Sequence, residues 1–199
     1  MTPGATPAVI STHATKVFST GEGGVVLSTD ERLLAEIRDF INHGLTDLRD
    51  VPAPGLNGKL SGYQAAVGLA ELDGWAEKRG RWLDLKRRYA KAFDAYKGTT
   101  PFDSEAWVSS SFCVRLKGRD GDSVREKLAE KGIASRAVWG KGCHRYGAFD
   151  SCPREPLPVT DRLAREAVFL PYSIDQTDEE IERIAGALAD AVAETPPCA

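Results

Sequence analysis

Trp75, Trp82, Leu85, Tyr89 and Phe93 recur at helical intervals along a stretch otherwise dense in Arg, Lys, Glu and Ala. Such a helix has one broad apolar face and folds only against a second apolar layer. The spacing predicts a long amphipathic helix over 72–96, preceded by an Ala-rich helical stretch over 61–72. Strands that could supply the facing layer follow: 106–116 alternates as a strand, 123–131 reads as a helix and 133–139 as another strand, together a β-α-β unit. Two further helices are expected over 161–168 and 178–193, the second opened by Thr177 with Glu180 three residues on, a capping-box signature. The class is therefore α/β.

The first part of the chain has a different texture. Residues 1–8 are rich in Pro, Gly, Thr and Ala and are expected to be exposed or frayed. Val9 and Ile10 begin a strand, the polar run Ser11-Thr12-His13-Ala14-Thr15-Lys16 a loop, and Gly21-Glu22-Gly23-Gly24 a turn into the β-branched strand Val25-Val26-Leu27. Thr29 or Asp30 caps a helix with Leu33, Leu34, Ile37 and Ile41 on one face, ended by Gly44. From 46 to 58, Pro52, Pro54, Gly55 and Gly58 mark a loop and a domain junction.

A length of 199 residues suffices to bury a core, and a net charge of −3 offers no basic surplus for a phosphate backbone, so a nucleic-acid partner is not expected. Cys113, Cys143, Cys152 and Cys198 form no C-x-x-C pair and the three histidines are far apart, which argues against zinc and for reduced thiols. No apolar run approaches the ~20 residues of a membrane helix, and the start does not read as a signal peptide, so the expectation is a cytoplasmic protein with no membrane partner.

Lys16 is the one residue whose surroundings suggest covalent chemistry. A lysine forms a Schiff base as the free amine, and hydroxyls at Ser11, Thr12 and Thr15 beside it suit a phosphate. A lone lysine in a polar loop is ordinarily a solvated side chain. The longer string Ser11-Thr12-His13-Ala14-Thr15-Lys16-Val17-Phe18-Ser19-Thr20-Gly21-Glu22-Gly23-Gly24-Val25-Val26 changes the weighting, because it resembles the cofactor-lysine signature of the DegT/StrS aminotransferases. That family makes amino sugars on nucleotide carriers with pyridoxal 5′-phosphate (PLP).

The resemblance implies that Lys16 holds PLP as a Schiff base and moves protons, and that Ser11 contacts the cofactor phosphate. Asn42-His43-Gly44 is similar to the family's Arg-Asn-His-Gly, with Asp39-Phe40-Ile41 in place of the usual basic lead-in. Gly55-Leu56-Asn57-Gly58-Lys59 through Gln64-Ala65-Ala66 is similar to a second family string, whose asparagine reaches the PLP phosphate of a neighbouring subunit. Asn57 inherits that role by resemblance; its other reading is a turn former on a Gly-rich loop. His144, in His144-Arg145-Tyr146, is a substrate-binding candidate whose other reading is a hydrogen-bonded surface histidine.

The resemblance runs from Val9 to Ala193 but covers only the second half of a family member. It implies the C-terminal part of a fold-type I PLP-dependent transferase: a remnant of the large domain over 1–50, and a loop plus small α+β domain over 51–199. The family's aspartate on the pyridine nitrogen, which makes PLP an electron sink, lies further upstream of the lysine than the residues present here. The expected substrates are an amino-acid donor, glutamate in the family, and a keto sugar on a nucleotide. The expected assembly is a homo-oligomer, or a heteromer with a chain carrying the missing large-domain portion, without which the chain is expected to be inactive. Two alternatives stand beside this: a non-catalytic fragment serving as an interaction module, and an incomplete sequence of an ordinary full-length enzyme.

Overall fold

The computed structural model describes residues 6–96, 107–137 and 140–198. The chain divides into two compact units, 1–78 and 79–199. In the first, β1 (Ala8–Ser11) and β2 (Gly24–Leu27) pair antiparallel, with Ser11 opposite Gly24. Helix α1 (Glu31–Ile41) is capped by Asp30, not Thr29: its carboxylate accepts from Leu33 N at 3.0 Å, satisfying one of the orphan amides of the first turn. Helix α2 (Gly62–Asp73) opens with a reciprocal capping box between Ser61 and Gln64. A single helix over 72–96 is not what forms. Gly74 ends α2, α3 (Trp75–Ala92) starts anew, and a 3-10 turn over Asp94–Tyr96 follows.

The second unit is built on a three-stranded antiparallel sheet in the order β3-β5-β4, with β3 at Phe112–Arg115, β4 at Arg136–Ala137 and β5 at Ala167–Leu170. The central strand is the one the periodicity did not show. Residues 161–168 were expected to be helical throughout, but α5 (Pro158–Glu166) stops at Glu166 and the chain turns straight into β5. The β-α-β unit consequently has a different form: β3 and β4 flank α4 (Gly121–Glu130) in sequence, yet β5 lies between them in the sheet. The outer parts of the two expected strands, residue 106 and residues 138–139, lie outside the described residues.

The core gathers Trp82, Leu85, Tyr89 and Phe93 of the amphipathic helix with Phe112 and Val114 of β3, Val124 and Leu128 of α4, Val168 and Leu170 of β5, and Ile181, Ile184 and Leu188 of α6 (Asp178–Glu194). Thr177 and Glu180 form the expected capping box at the start of α6. The buried Glu166 carboxylate is satisfied by Arg115 Nε at 2.7 Å and by the Gly118 amide at 3.1 Å. All four cysteines are free; burial pushes the Cys113 thiol up to about 11, which keeps it protonated and unreactive at neutral pH. No helix among the described residues is long and apolar enough to cross a membrane.

The units differ in how they are held. Every buried hydrophobic side chain among the described residues lies at Trp82 or beyond, while Val9, Leu48, Tyr63 and Leu69 are 78%, 89%, 80% and 66% exposed. Truncation should therefore act unequally. Leu188→Ala is expected to lower unfolding stability by about 3 kcal/mol in urea titrations, whereas Leu69→Ala in the same chain should change it by less than ~0.5 kcal/mol.

Candidate functional site

The hairpin loop between β1 and β2 is shaped almost wholly by its own backbone. Thr12 N donates to Gly23 O at 3.0 Å, Ala14 N to Gly21 O at 2.7 Å, Thr20 N to Thr12 O at 2.8 Å and Lys16 N to His13 O at 2.9 Å. Inside it, the buried Thr12 and Thr20 hydroxyls meet at 2.8 Å, and Thr20 Oγ1 also donates to Glu22 O at 2.9 Å. Gly23 has φ +137°, and a Cβ there would lie 2.7 Å from Leu60 and 3.1 Å from Thr12 Oγ1, so the path demands glycine. Phe18 meets Trp75 edge to face at 5.7 Å and the Thr20 methyl rests against Gly68 of α2.

On this frame Lys16 is exposed, and its amine has no hydrogen-bond or ion-pair partner among the described residues. Ser11 Oγ accepts from the His13 amide at 3.3 Å, which leaves its own proton free to donate. His13 is an unexpected organiser. Its Nδ1 accepts from Thr15 N at 3.2 Å and its Nε2 stands 3.5 Å from Glu22 Oε1, tying the lysine turn to the return limb of the loop. With Nδ1 an acceptor, the neutral ring carries its proton on Nε2.

The two other family-like strings meet each other at a second corner. His43 N donates to Leu56 O at 3.0 Å, Leu56 N to Phe40 O at 2.8 Å and Gly58 N to Ile41 O at 2.9 Å, with Asn42 and Asn57 paired as an isolated antiparallel bridge. Lys59 Nζ donates to Asn42 Oδ1. Asn57 itself is exposed and its side chain makes no hydrogen bond among the described residues. No hydrogen bond or ion pair joins Lys16, Ser11 and Asn57, although Leu60, three residues beyond Asn57, sits against Gly23 of the lysine loop.

His144 belongs to the second unit. Its Nε2 lies 2.8 Å from Asp161 Oδ1, the ring is largely buried, and Arg145 grips the same carboxylate through Nε at 2.9 Å and Nη2. The Arg145 guanidinium and then His144 hold the Asp161 carboxyl well below the usual carboxylate range.

A lysine offered at the tip of a glycine-rich hairpin, followed in the chain by an α/β unit with a three-stranded antiparallel sheet, is the C-terminal part of a fold-type I PLP-dependent transferase. The chain belongs to the DegT/DnrJ/EryC1/StrS aminotransferase family, whose profile matches residues 3–189. It is 27% identical to the GDP-perosamine synthase of Caulobacter vibrioides over 91% of this chain and 51% of that protein. Among solved structures, a Bacillus cereus protein assigned as a PLP-dependent aminotransferase superposes with a TM-score of 0.84 at 26% identity, covering 92% of this chain and 51% of that one. DesI, solved in the presence of its TDP-sugar product, gives 0.78 at 31% identity, covering 94% and 50%. The chain spans about half the length of the curated relatives it matches.

Two outcomes check this geometry. Gly44 has φ +76°, and a Cβ there would fall 2.0 Å from Ala53 O; Gly44→Ala should cost the corner ~1–3 kcal/mol, read as faster hydrogen exchange at the His43 and Gly58 amides. A carboxyl depressed in the folded state stabilises fully above its unfolded pKa of about 3.9 and loses that contribution as pH falls through the folded value. Urea midpoints of Asp161→Asn should accordingly fall less steeply than wild type below about pH 4.

Proposed function

We propose that this chain is the lysine-bearing half of a PLP-dependent aminotransferase that places an amino group on a keto carbon of a nucleotide-linked sugar. The observation that carries the reading is Lys16: a primary amine exposed on a rigidly bonded loop, free of any carboxylate among the described residues, and one short turn from a serine whose proton is unspent. That donor set fits a ligand with one aldehyde and one phosphate. Lys16 Nζ would attach the aldehyde carbon; Ser11 Oγ–H would donate to the phosphate; Asn57, with an uncommitted amide, would add a donor across a subunit interface. Bound in this way, PLP supplies an electron sink for the substrate carbon that changes its hydrogen. Once the donor amino acid's nitrogen displaces it from that aldehyde carbon, the freed Lys16 Nζ would serve as the base that removes the proton from the donor's Cα and as the acid that returns one to the sugar carbon.

The nucleotide-sugar assignment draws on DesI and its TDP-sugar product and on the GDP-perosamine synthase. Surface physics supports a completing half. β1 and β2 pair only with each other among the described residues, and α2, apolar on nearly every side, buries none of its residues. An all-round apolar helix and open strand edges need cover. The large-domain half that relatives carry is the natural cover, supplied by a partner chain, and activity would depend on it. The competing reading, a non-catalytic interaction module, is favoured by the self-sufficient core of 79–199. Residues 1–50 as a large-domain remnant, 51–199 as loop and small domain, and a cytoplasmic location complete the proposal.

Visible absorption of the purified chain with PLP, alone and with the large-domain half, followed by borohydride reduction and peptide mapping, separates the readings. Selective modification of Lys16, abolished in Lys16→Arg, is the expected result. Indiscriminate modification of surface lysines with the large-domain half present would leave the interaction module as the function.

A further inference from the structure

We infer that His13 is the positioning residue of the lysine turn, holding Ser11 and Lys16 at the separation that a ligand with one phosphate and one aldehyde requires. The inference rests on the aminotransferase reading and names the side chain that organises its site.

His13 is bonded through its amide, its carbonyl and its ring. The amide donates to Ser11 Oγ at 3.3 Å, the carbonyl accepts from Lys16 N at 2.9 Å, and Nδ1 accepts from Thr15 N at 3.2 Å. The serine assigned to the phosphate and the lysine assigned to the aldehyde are thus tied to one residue between them. Lys16 supplies no anchor of its own, because its amine has no partner among the described residues. What aims that amine is the backbone on either side of it.

The ring contribution can be separated from the backbone one. Nδ1 takes the place that an Asn side-chain oxygen takes in an Asx turn, accepting from the amide two residues on. An amide can only donate, so Nδ1 must present its lone pair to Thr15 N; the Thr15 hydroxyl lies 3.0 Å from the same nitrogen. Glu22 Oε1, 3.5 Å from Nε2, faces the proton that the ring keeps. Both sides of the ring therefore select one tautomer. A turn held in its binding conformation before the ligand arrives does not have to be ordered when the ligand binds, and reacting groups gain from such placement.

Two readouts test the role: hydrogen exchange at the Thr15 amide of the full chain without PLP, and the share of borohydride-trapped PLP found on Lys16 with the large-domain half present. His13→Ala removes the acceptor and is expected to lower both about fivefold. Asn and Gln then separate the two ends of the ring. His13→Asn puts an oxygen at the Nδ1 position and should restore both readouts, whereas His13→Gln reaches toward Glu22 and should restore neither. A loop merely loosened by losing an imidazole would respond to Asn and Gln alike, and that result would overturn the positioning role. Lys16 trapped selectively in wild type and equally in all three variants would also overturn it, while leaving the aminotransferase reading in place. Wild type that fails to trap PLP selectively on Lys16 would remove that reading and this inference with it.

Discussion

Tyr89 is the point on which the second unit turns. Its ring is fully buried, 5.3 Å from Phe93, 4.9 Å from Phe112 and 4.8 Å from Tyr172, so α3, β3 and the chain beyond β5 share one aromatic cluster. Its hydroxyl is in hydrogen-bond contact with Pro171 O and with Gln176 Oε1, the latter at 2.8 Å. Burial pushes the phenol well above its ordinary range, so the group stays a neutral donor at any physiological pH. The same Gln176 oxygen receives the Ser173 amide at 2.8 Å, and Arg88 of α3 reaches Gln176 O and Asp178. One residue thus sets the spacing between the amphipathic helix, the sheet and the start of α6. Side chains at 82, 85 and 93 then fill what that spacing leaves.

How much of this was legible depended on where the deciding contacts lie. Thr177 and Glu180 were readable because a capping box is complete within four residues; Ser61 and Gln64 carry the same signature. The break between α2 and α3 falls at Gly74, a weak punctuation mark that a helical pattern alone reads through. β5 was invisible for a related reason. No Gly, Pro or Asn breaks the run from Glu166 to Ala167, and Leu163, Ala167 and Leu170 fall at helical spacing as readily as Val168 and Leu170 alternate, until β3 and β4 pair with the strand. The strand exists because its neighbours do, and neighbours 58 residues away in sequence, as Phe112 is from Leu170, leave no local trace.

The lysine loop shows the opposite balance. Its family string was recognisable as text, and Lys16, Ser11 and the glycine turn follow from that text by resemblance. The physical reasons for the string were not recognisable. Thr12 and Thr20 look like ordinary polar loop residues until the hairpin closes and buries them against each other, and His13 reads as a solvated histidine until Thr15 N and Glu22 flank its ring. The bridge between Asn42 and Asn57 likewise makes one corner of two strings that the sequence presents as separate.

The loop geometry also explains why an exposed lysine is compatible with chemistry. Three backbone bonds and the threonine pair hold the loop without calling on residue 16, and the fourth uses only its backbone amide, so the side-chain amine can be committed to a ligand at no cost to the fold. Exposure itself is the remaining difficulty. A Schiff base open to water hydrolyses, and an amine surrounded by solvent gains nothing from preorganised dipoles, so productive chemistry needs the surface closed over. The first unit offers apolar residues on α2 and unpaired strand edges where that closure would form, and it buries no hydrophobic side chain of its own among the described residues. On the proposed reading, a contact that covered the apolar surface of 6–78 would also dry Lys16, and stability and catalysis would be coupled.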